Sequence, residues 1–282
     1  MTFTDPKPLT LSETAKYGLG YAREQLAGKS ILVLTGAGVS TESGIPDYRG
    51  EGKKERHPMT FDVFMGSVEA RKRYWARSYV GWSVIANAKP NPGHFALAQA
   101  ESLGRVGHIV TQNVDALHQQ AGSKKVTDLH GRLDQVVCMS CGAYLPRLEM
   151  DGYIENLNPG ITKGAAIEFT PDGDAEVEAA ADFQIPDCPN CHGVLKPDVV
   201  FFGESVPSLR VSKTMAELEK LDALLVAGSS LTVNSGMRFA RAAAKQGKPI
   251  VIVNIGPTRA DEIAIAKIEA PTSIALEELL IA

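Results

Sequence analysis

Long apolar runs, an excess of positive charge and a targeting segment are all missing from this sequence of 282 residues. The longest apolar runs, at 223–227 and 250–255, are far shorter than the roughly 20 residues that a membrane span requires. The formal charge is −4, from 29 Lys and Arg against 33 Asp and Glu, and no local basic patch is evident. The N-terminal segment resembles neither a secretory signal nor an Arg-rich, acid-poor transit peptide. We therefore expect a cytoplasmic protein that binds neither membranes nor nucleic acid.

Cysteine is scarce, but all four cysteines fall into two Cys-x-x-Cys pairs: Cys138 with Cys141, and Cys188 with Cys191. Two such turns supply the four sulfur ligands of a tetrahedral Zn²⁺ site, and a site with four protein ligands has no open position. We therefore predict a structural zinc. Three alternatives are less favoured: disulfides, because no export signal is seen; thioredoxin-like redox pairs, because neither pair opens a helix after a strand; and haem attachment at 188–192, which leaves the first pair unexplained.

The hydrophobic fraction, 44%, is large enough for a sizeable core, and its pattern alternates between strands and helices. Runs predicted to be buried parallel strands lie at 30–35, 108–111, 223–227 and 250–254. Helical patterns lie at 11–26, 67–86, 94–103, 208–221 and 235–245. This alternation predicts the α/β class: a doubly wound, Rossmann-like parallel sheet with a smaller zinc-binding and helical domain inserted.

Two segments interrupt the alternation, and we assign them to the smaller domain: approximately 50–104 (helical) and 136–193 (the zinc module). The larger, nucleotide-binding part then consists of approximately 1–49, 105–135 and 194–282. The stretch between the two cysteine pairs contains polar segments and a Pro-Asp-Gly turn, so we expect irregular structure around the metal.

A glycine-rich loop, Thr-Gly-Ala-Gly-Val-Ser at 35–40, follows the first strong strand. If a helix begins after this loop, the backbone N–H groups can approach a pyrophosphate at the positive end of the helix dipole. As a dinucleotide fingerprint it is imperfect, because Thr41 occupies the third small position and no acidic residue ends a second strand about 20 residues later. The loop could instead be a plain tight turn, and it speaks against an ordinary hydride-transferring dehydrogenase.

Polar or glycine residues also end other predicted strands, at 111–115, 129–131, 227–230 and 254–256. Because the carboxyl ends of parallel strands meet at one edge of an open sheet, we expect these residues to share a crevice that holds a dinucleotide. The loop at 43–49 adds Asp47, which could accept a hydrogen bond from a ligand amide, and Arg49, which could contact an anion. Alternatively, that loop is an ordinary solvated one.

Together, these motifs resemble the sirtuin family of NAD-dependent protein-lysine deacylases. The matching segments stand in the family's order: GAGVSTESGIPDYR (36–49), TQNVDALH (111–118), LHG (129–131), the two cysteine pairs, KPDVVFFGE (196–204), GSSLTV (228–233) and NIGPT (254–258). RYWARSYVGW (73–82), PNPGH (90–94) and PDGD (171–174) are similar to the class II branch, which includes the mitochondrial lipoamidase-type sirtuin. The resemblance implies one sirtuin catalytic domain over 1–282 and, without a transit-like start, a bacterial relative.

The resemblance implies a reaction and its general base. Sirtuins cleave the nicotinamide–ribose bond of NAD and transfer the acyl group of an acyl-lysine to ADP-ribose. His130 matches the family's base, and an unperturbed pKa of about 6.5 lets a histidine accept a proton near neutral pH. Asn113 matches a residue that holds the ribose and places a water molecule. The implied cofactors are NAD, as co-substrate, and one structural Zn²⁺; the implied partners are acylated-lysine proteins or peptides. The oligomeric state stays open, and a monomer is possible.

The resemblance also implies which residues bind NAD. The phosphate region would be lined by Gly36, Ala37, Gly38 and Ser40, with Arg49 contacting the dinucleotide. The nicotinamide pocket would be formed by Ile45, Asp47 and Asp115, and the adjacent ribose would be held by Gln112 and Asn113. The adenosine half would be cradled by Gly228, Ser229, Ser230, Asn254, Ile255 and Gly256.

An acyl-peptide would, by the same match, add a strand between two segments through backbone pairing. The segments supply Val199, Phe201, Phe202, Gly203 and Glu204 on one side, and Leu231 and Val233 on the other. The two phenylalanines could alternatively be core aromatics. Tyr74 and Arg77 have the Tyr-x-x-Arg spacing of sirtuins that prefer acidic acyl chains, and they share a helix face, so Arg77 could bind an acyl carboxylate. We expect an acidic, branched or lipoyl-like acyl preference, unless Arg77 is simply an exposed cation on an amphipathic helix.

Two other functions stay open: transfer of ADP-ribose from NAD to a protein side chain, and a non-enzymatic NAD-binding regulatory role. The intact His130 and Asn113 argue against the second, because binding alone requires neither. We also expect the loop around 50–58 to become ordered when NAD binds.

Overall fold

The computed structural model describes residues 10–47, 58–161 and 182–282. Its strands are β1 (Ile31–Thr35), β2 (Val106–Thr111), β3 (Val126–Asp128), β4 (Gly131–Cys138), β5 (Tyr144–Pro146), β6 (Leu195–Val199), β7 (Ala223–Ala227), β8 (Ile250–Val253) and β9 (Ala266–Ile268). Its α-helices are α1 (Glu13–Leu26), α2 (Phe61–Gly66), α3 (Val68–Asn87), α4 (Pro92–Ser102), α5 (Leu117–Gln120), α6 (Arg147–Leu157), α7 (Ser208–Lys220), α8 (Asn234–Lys245) and α9 (Thr272–Leu280). Among the described residues, no helix is long and apolar enough to cross a membrane.

The larger sheet has six parallel strands in the order β3-β2-β1-β7-β8-β9. β1, β7 and β8 are buried along their whole length, which explains their continuous apolar sequences. One face packs against α1, α4 and α9 through Leu19, Leu97 and Leu276, and the other packs against α7 and α8 through Leu218 and Phe239. The predicted doubly wound α/β sheet is therefore confirmed. Its strand order reverses between β1 and β7, which is where such sheets bind ligands.

A smaller antiparallel sheet, β5-β4-β6, shares a second apolar core with α2, α3 and α6. That core includes Phe64, Trp75, Met150 and Leu195. β4 ends at Cys138, so the sheet carries the first cysteine pair, and β6 begins soon after the second. The inserted helical and cysteine-bearing unit is thus present beside the larger sheet.

Three elements differ from the predictions made from the sequence, two in the core that they join and one in its secondary structure. α4 packs in the core of the larger sheet, although a boundary at 104 assigns it to the insertion. β6 pairs with β4 in the smaller sheet, although a boundary at 194 assigns it to the larger part. α6 stands where irregular structure is expected, and it buries Met150 and Ile154 one turn apart. The reason is that an amphipathic pattern shows that an element is buried on one side but not which core covers it.

Candidate active site

The loops that follow β1 and β7 touch each other where the strand order reverses. The Gly36 and Gly38 N–H groups donate to the carbonyls of Ala227 (3.1 Å) and Gly228 (2.9 Å). A Cβ atom on Gly38 would lie 2.8 Å from Gly228 Cα, and Gly228 itself has a φ of +61°. Glycine is required here because two backbones are in contact and one of them is left-handed. The prediction that a helix begins after β1 is wrong. Two 3₁₀ turns, Ala37–Val39 and Thr41–Ser43, follow the strand, so no long helix points its dipole at this loop.

Ser40, Asn113 and Asp115 form one hydrogen-bonded cluster that joins the loops after β1 and β2. Asn113 Nδ2 donates to Gly36 O (3.1 Å) and to Ser40 Oγ (2.9 Å), and Ser40 Oγ donates to Asp115 Oδ2 (2.7 Å). The Leu117 N–H donates to the other carboxylate oxygen at 2.9 Å. Burial raises the pKa of Asp115, and these hydrogen bonds oppose the rise. The structure therefore brings together three residues that the resemblance assigns to the NAD site.

The remaining residues predicted to bind NAD from the loop after β1 follow the two 3₁₀ turns in the sequence. Ile45 is buried and packs in the smaller core, and Asp47 is half-buried. Arg49 lies outside the described residues, as does most of the loop around 50–58.

Two buried histidines, which the motif spacing does not connect, support the Ser40 cluster. The Asn91 N–H donates to His94 Nδ1 (3.3 Å), so in the neutral ring Nε2 carries the hydrogen and lies 3.5 Å from Ser40 Oγ. His118 Nε2 lies 2.9 Å from Thr35 Oγ1, and the two imidazole centres are 4.9 Å apart. Burial lowers the pKa of His94 to about 4 and that of His118 well below its usual value. Both rings are therefore neutral at pH 7.

His130 lies between β3 and β4 and makes hydrogen bonds through both ring nitrogens. Nδ1 is 2.9 Å from Gln112 O, and Nε2 is 2.8 Å from Ser235 Oγ. Because a carbonyl only accepts, Nδ1 carries the hydrogen of the neutral ring and Nε2 presents its lone pair toward Ser235. Burial lowers the pKa of His130; the Gln112 hydrogen bond raises it, and the charge of Arg210 lowers it further. The arrangement is a neutral base with Nε2 as the accepting atom.

Gln112 ties the loop after β2 to the loop after β7. Its Oε1 accepts a hydrogen bond from Ser229 Oγ at 2.6 Å, and the Leu231 N–H donates to Ser229 Oγ at 3.2 Å. Gly236 gives this side chain room, because a Cβ atom there would lie 2.8 Å from Gln112 Nε2. The orientation of Gln112 is thus fixed from two sides.

The residues predicted for the adenosine half lie on the loops after β7 and β8. Asn254 is buried, and its Nδ2 donates to the carbonyls of Ile255 (2.8 Å) and Gly256 (3.1 Å), which closes the loop after β8 on itself. Ile255 is exposed. Ser230 Oγ lies 3.0 Å from Thr232 Oγ1 on the loop after β7.

His130 also connects the two segments predicted to hold an acyl-peptide. The Val200 N–H donates to His130 O at 2.8 Å, and Ser235, which contacts the ring, stands two residues after Val233. Leu231 is buried with a φ of +53°. Both segments are therefore anchored to the same residue.

The segment after β6 is held by an ion pair between a buried lysine and a partly buried glutamate. Lys196 Nζ lies 3.1 Å from Glu204 Oε2, and the Phe201 N–H donates to the same oxygen at 2.9 Å. Gly203 has a φ of +81°, which a turn between Phe202 and Glu204 requires. Phe201 is buried in the smaller core, as the core-aromatic alternative predicts, whereas Phe202 is 45% exposed, so that alternative does not hold for Phe202.

Tyr74 reaches this segment from α3. Its ring centre is 5.1 Å from that of Phe201 and 5.4 Å from that of Phe64, in edge-to-face contacts. Arg77 follows on the same side of α3, three residues later, and is half-buried. The structure therefore places the Tyr-x-x-Arg pair on the helix that packs against Phe201.

The four cysteines come together although 46 residues separate the two pairs (188 − 141 − 1). Their sulfur atoms lie within 4.8 Å of one another, with Cys138 Sγ 3.5 Å from Cys191 Sγ and Cys141 Sγ 3.8 Å from Cys188 Sγ. A tetrahedron with Zn–S bonds of about 2.3 Å has edges of about 3.8 Å, so the cluster fits Zn²⁺. With four thiolates this is a structural site, as the spacing predicts.

The model of the Sir2 family matches residues 36–235 of the chain. The NAD-dependent protein deacetylase 1 of Streptomyces coelicolor is 51% identical over 257 residues, which cover 90% of this chain and 86% of that protein. The NAD-dependent protein deacetylase of Xanthomonas axonopodis pv. citri is 52% identical over 252 residues, with coverages of 87% and 85%.

Solved structures of the same family share the fold. A Sir2 complex with a p53 peptide and NAD⁺ superposes with a TM-score of 0.73 at 30% identity, covering 91% of this chain and 94% of that one. A Sir2 protein bound to a propionylated peptide gives a TM-score of 0.73 at 28% identity, with coverages of 93% and 96%.

Proposed function

The chain belongs to the Sir2 family, and from this premise we propose that it is an NAD-dependent protein-lysine deacylase. In the proposed reaction it releases nicotinamide from NAD and transfers the acyl group of an acyl-lysine to ADP-ribose. The names of its relatives, NAD-dependent protein deacetylases, support the activity, and the peptide complexes among the solved structures support an acyl-lysine protein as substrate.

The observation that carries the proposal is the pair of hydrogen bonds that the His130 ring makes. Gln112 O fixes the hydrogen on Nδ1, so Nε2 is free of hydrogen and faces the hydroxyl of Ser235. In the proposed reaction Nε2 accepts a proton from a ribose hydroxyl of the co-substrate, which displaces the Ser235 contact. Its lowered pKa keeps the ring neutral, and hence competent as a base, throughout the physiological range.

The NAD site of this proposal spans the point where the strand order reverses. Asn113 and Asp115 supply fixed donors and acceptors for the nicotinamide and its ribose, and both are hydrogen-bonded to Ser40 of the phosphate region. Gln112 is oriented toward the same ribose by the hydrogen bond that it accepts from Ser229, a residue of the adenosine side. The loops after β7 and β8 receive the adenosine half. NAD supplies the reactive glycosidic bond, and these residues orient it.

We further propose that the acyl preference extends beyond acetyl to acidic, branched or lipoyl-like chains, as in the class II branch. Support comes from Tyr74, which packs on Phe201 beside the peptide-binding segment, and from Arg77 one turn later on α3. A guanidinium in this position matches an acyl carboxylate in charge and geometry.

The fate of ADP-ribose tests the activity against its rival, ADP-ribosyl transfer to protein. The experiment incubates the purified chain with NAD labelled in the adenylate moiety and acyl-lysine peptides, then separates protein from small molecules. We expect the label in soluble acyl-ADP-ribose and nicotinamide release that depends on the acyl-peptide. Label that stays on protein, with acyl groups retained, contradicts the proposal and supports transfer to a side chain.

A further inference from the structure

Arg147 is a fully buried arginine that takes no part in the proposed NAD site. It begins α6 and is 1% exposed. The guanidinium carbon lies 5.3 Å from the ring centre of Trp75 and 5.3 Å from that of Trp82, which are the two tryptophans of the chain. Both indoles belong to α3, so Arg147 inserts between two side chains of the helix that carries Tyr74 and Arg77.

Every nitrogen of this guanidinium has a hydrogen-bond partner. Nε donates to Asp151 Oδ1 at 2.8 Å, Nη1 donates to Ser78 Oγ at 2.9 Å, and Nη2 donates to Ser78 O at 2.9 Å. Asp151 is itself buried, so the charge of Arg147 is compensated where water is excluded. The planar guanidinium is needed for these three hydrogen bonds, because a lysine ammonium cannot reach all three acceptors in this geometry.

These contacts join α3 to the cysteine-bearing unit, which here means the smaller sheet β5-β4-β6 together with α6. Arg147 follows β5 directly, β5 pairs with β4, and β4 ends at the metal-site residue Cys138. On the α3 side, the hydrogen bonds reach Ser78, the residue next to Arg77. Trp75 adds a second link, because its Nε1 donates to Leu195 O on β6 at 3.3 Å. The position of α3 is therefore set by the unit that the four cysteines hold together.

We propose that Arg147 is a positioning residue for acyl-chain selection: it fixes α3 against the cysteine-bearing unit and thereby sets where Tyr74 and Arg77 stand relative to Phe201. The inference rests on the proposed function, because it takes the Tyr74–Arg77 face as one wall of the acyl site. It assigns no contact between Arg147 and the substrate.

Two variants of the zinc-loaded enzyme test this role. Arg147→Lys keeps the charge but loses the planar guanidinium, and the double variant Arg147→Met with Asp151→Leu removes both buried charges, so no unpaired ion threatens folding. The control is Leu276→Ala, a buried residue of α9 in the core of the larger sheet, which lowers the melting temperature without touching α3. KM is measured for NAD, an acetyl-lysine peptide and a glutaryl- or lipoyl-lysine peptide, together with the tryptophan emission spectrum.

We expect both Arg147 variants to change the KM ratio of long-acyl to acetyl peptide by about fivefold or more, with KM for NAD within about twofold of wild type. We also expect an altered tryptophan spectrum in both variants, because each removes the guanidinium that lies between the two indoles. Leu276→Ala should keep the wild-type ratio and spectrum at a lower melting temperature. An altered spectrum with an unchanged KM ratio, or equal losses for both peptides, overturns the inference. A wild-type enzyme that turns over no acyl-peptide overturns the proposed function instead, and the inference falls with it.

Discussion

At the scale of single residues, the hydrogen-bond partners of His130 decide what the site can do. A histidine at this position in the sequence could be structural, but the Gln112 carbonyl leaves only one tautomer, and that tautomer puts the lone pair on Nε2. Ser235 then marks the place where a proton donor stands. Neither partner follows from the motif, because Gln112 acts through its backbone and Ser235 lies 105 residues away.

The pKa of His130 predicts the pH dependence. Burial is the largest effect and lowers the pKa, so the ring takes up a proton only at a lower pH than an unperturbed histidine does. Because only the neutral ring accepts a proton, kcat/KM should fall on the acid side with a midpoint below about 6.5. A pH–rate profile with saturating NAD checks this. A midpoint above pH 7 contradicts it.

Substitution of Gly38 tests how closely the loops after β1 and β7 must approach each other. In Gly38→Ala the new Cβ lies 2.8 Å from Gly228 Cα, and neither backbone can rotate away as a side chain can. We expect a loss of about 1–3 kcal/mol in unfolding free energy, measured by urea titration, together with a raised KM for NAD.

The matched control for that variant is Gly20→Ala. Gly20 lies within α1, where a Cβ would meet nothing within 4 Å. This change should stabilise the chain by up to about 1 kcal/mol, because alanine favours helix. Equal effects of the two substitutions would show that the loop contact is unimportant.

At the scale of elements, α3 is the helix on which the acyl proposal depends. Its sequence predicts a helix over 67–86, and the structure has one at Val68–Asn87, begun by the Ser67 side chain, which accepts a hydrogen bond from Ala70 N. Ten of its residues are buried, so the helix lies between other elements and does not present one face to water. The pattern predicts the helix. It does not predict which side chains contact the helix, because Phe201 and Arg147 come from other parts of the chain.

Arg77→Met tests the acyl proposal at this scale. Removing the guanidinium should lower kcat/KM for a glutaryl-lysine peptide by about tenfold or more relative to an acetyl-lysine peptide, because an ionic hydrogen bond is lost for the acidic chain only. Arg73→Met is the matched control, since Arg73 lies on the same helix and is exposed. An unchanged ratio of the two activities in Arg77→Met contradicts the proposal.

The elements also show what local pattern can and cannot predict. The strand at Ala223–Ala227 lies where its continuous apolar run predicts it, because both of its faces are buried. The helix at Ser208–Lys220 lies where its apolar period predicts it, because it packs against one core. β3, β5 and β9 are three residues long and carry no readable period. The sequence pattern does not predict α6, because the polar segments between the cysteine turns are typical of a loop.

At the scale of the whole molecule, the fold brings residues from distant motifs to one edge of the larger sheet. Gly36, Asn113, His130 and Ser229 come from the ends of different strands. Hydrogen bonds join Asn113 to Gly36 and Ser40, and join Gln112 to His130 and Ser229; the two groups meet because Gln112 and Asn113 are neighbours in the chain. The sequence predicts this convergence because parallel strands share one carboxyl edge. It does not predict the buried pair of His94 and His118, since nothing local shows that α4 and α5 meet there.

The most direct test of the account is the mass spectrum of the products formed from NAD and an acyl-lysine peptide by three proteins. These are the wild type, His130→Ala and the control His108→Gln; His108 contacts Thr127 on the adjacent strand, and His130 makes no hydrogen bond to either residue. We expect acyl-ADP-ribose and deacylated peptide from the wild type and the control, and a rate of product formation lower by about 100-fold or more in His130→Ala. Acyl-ADP-ribose formed by His130→Ala at the wild-type rate would contradict the assignment of Nε2 as the base.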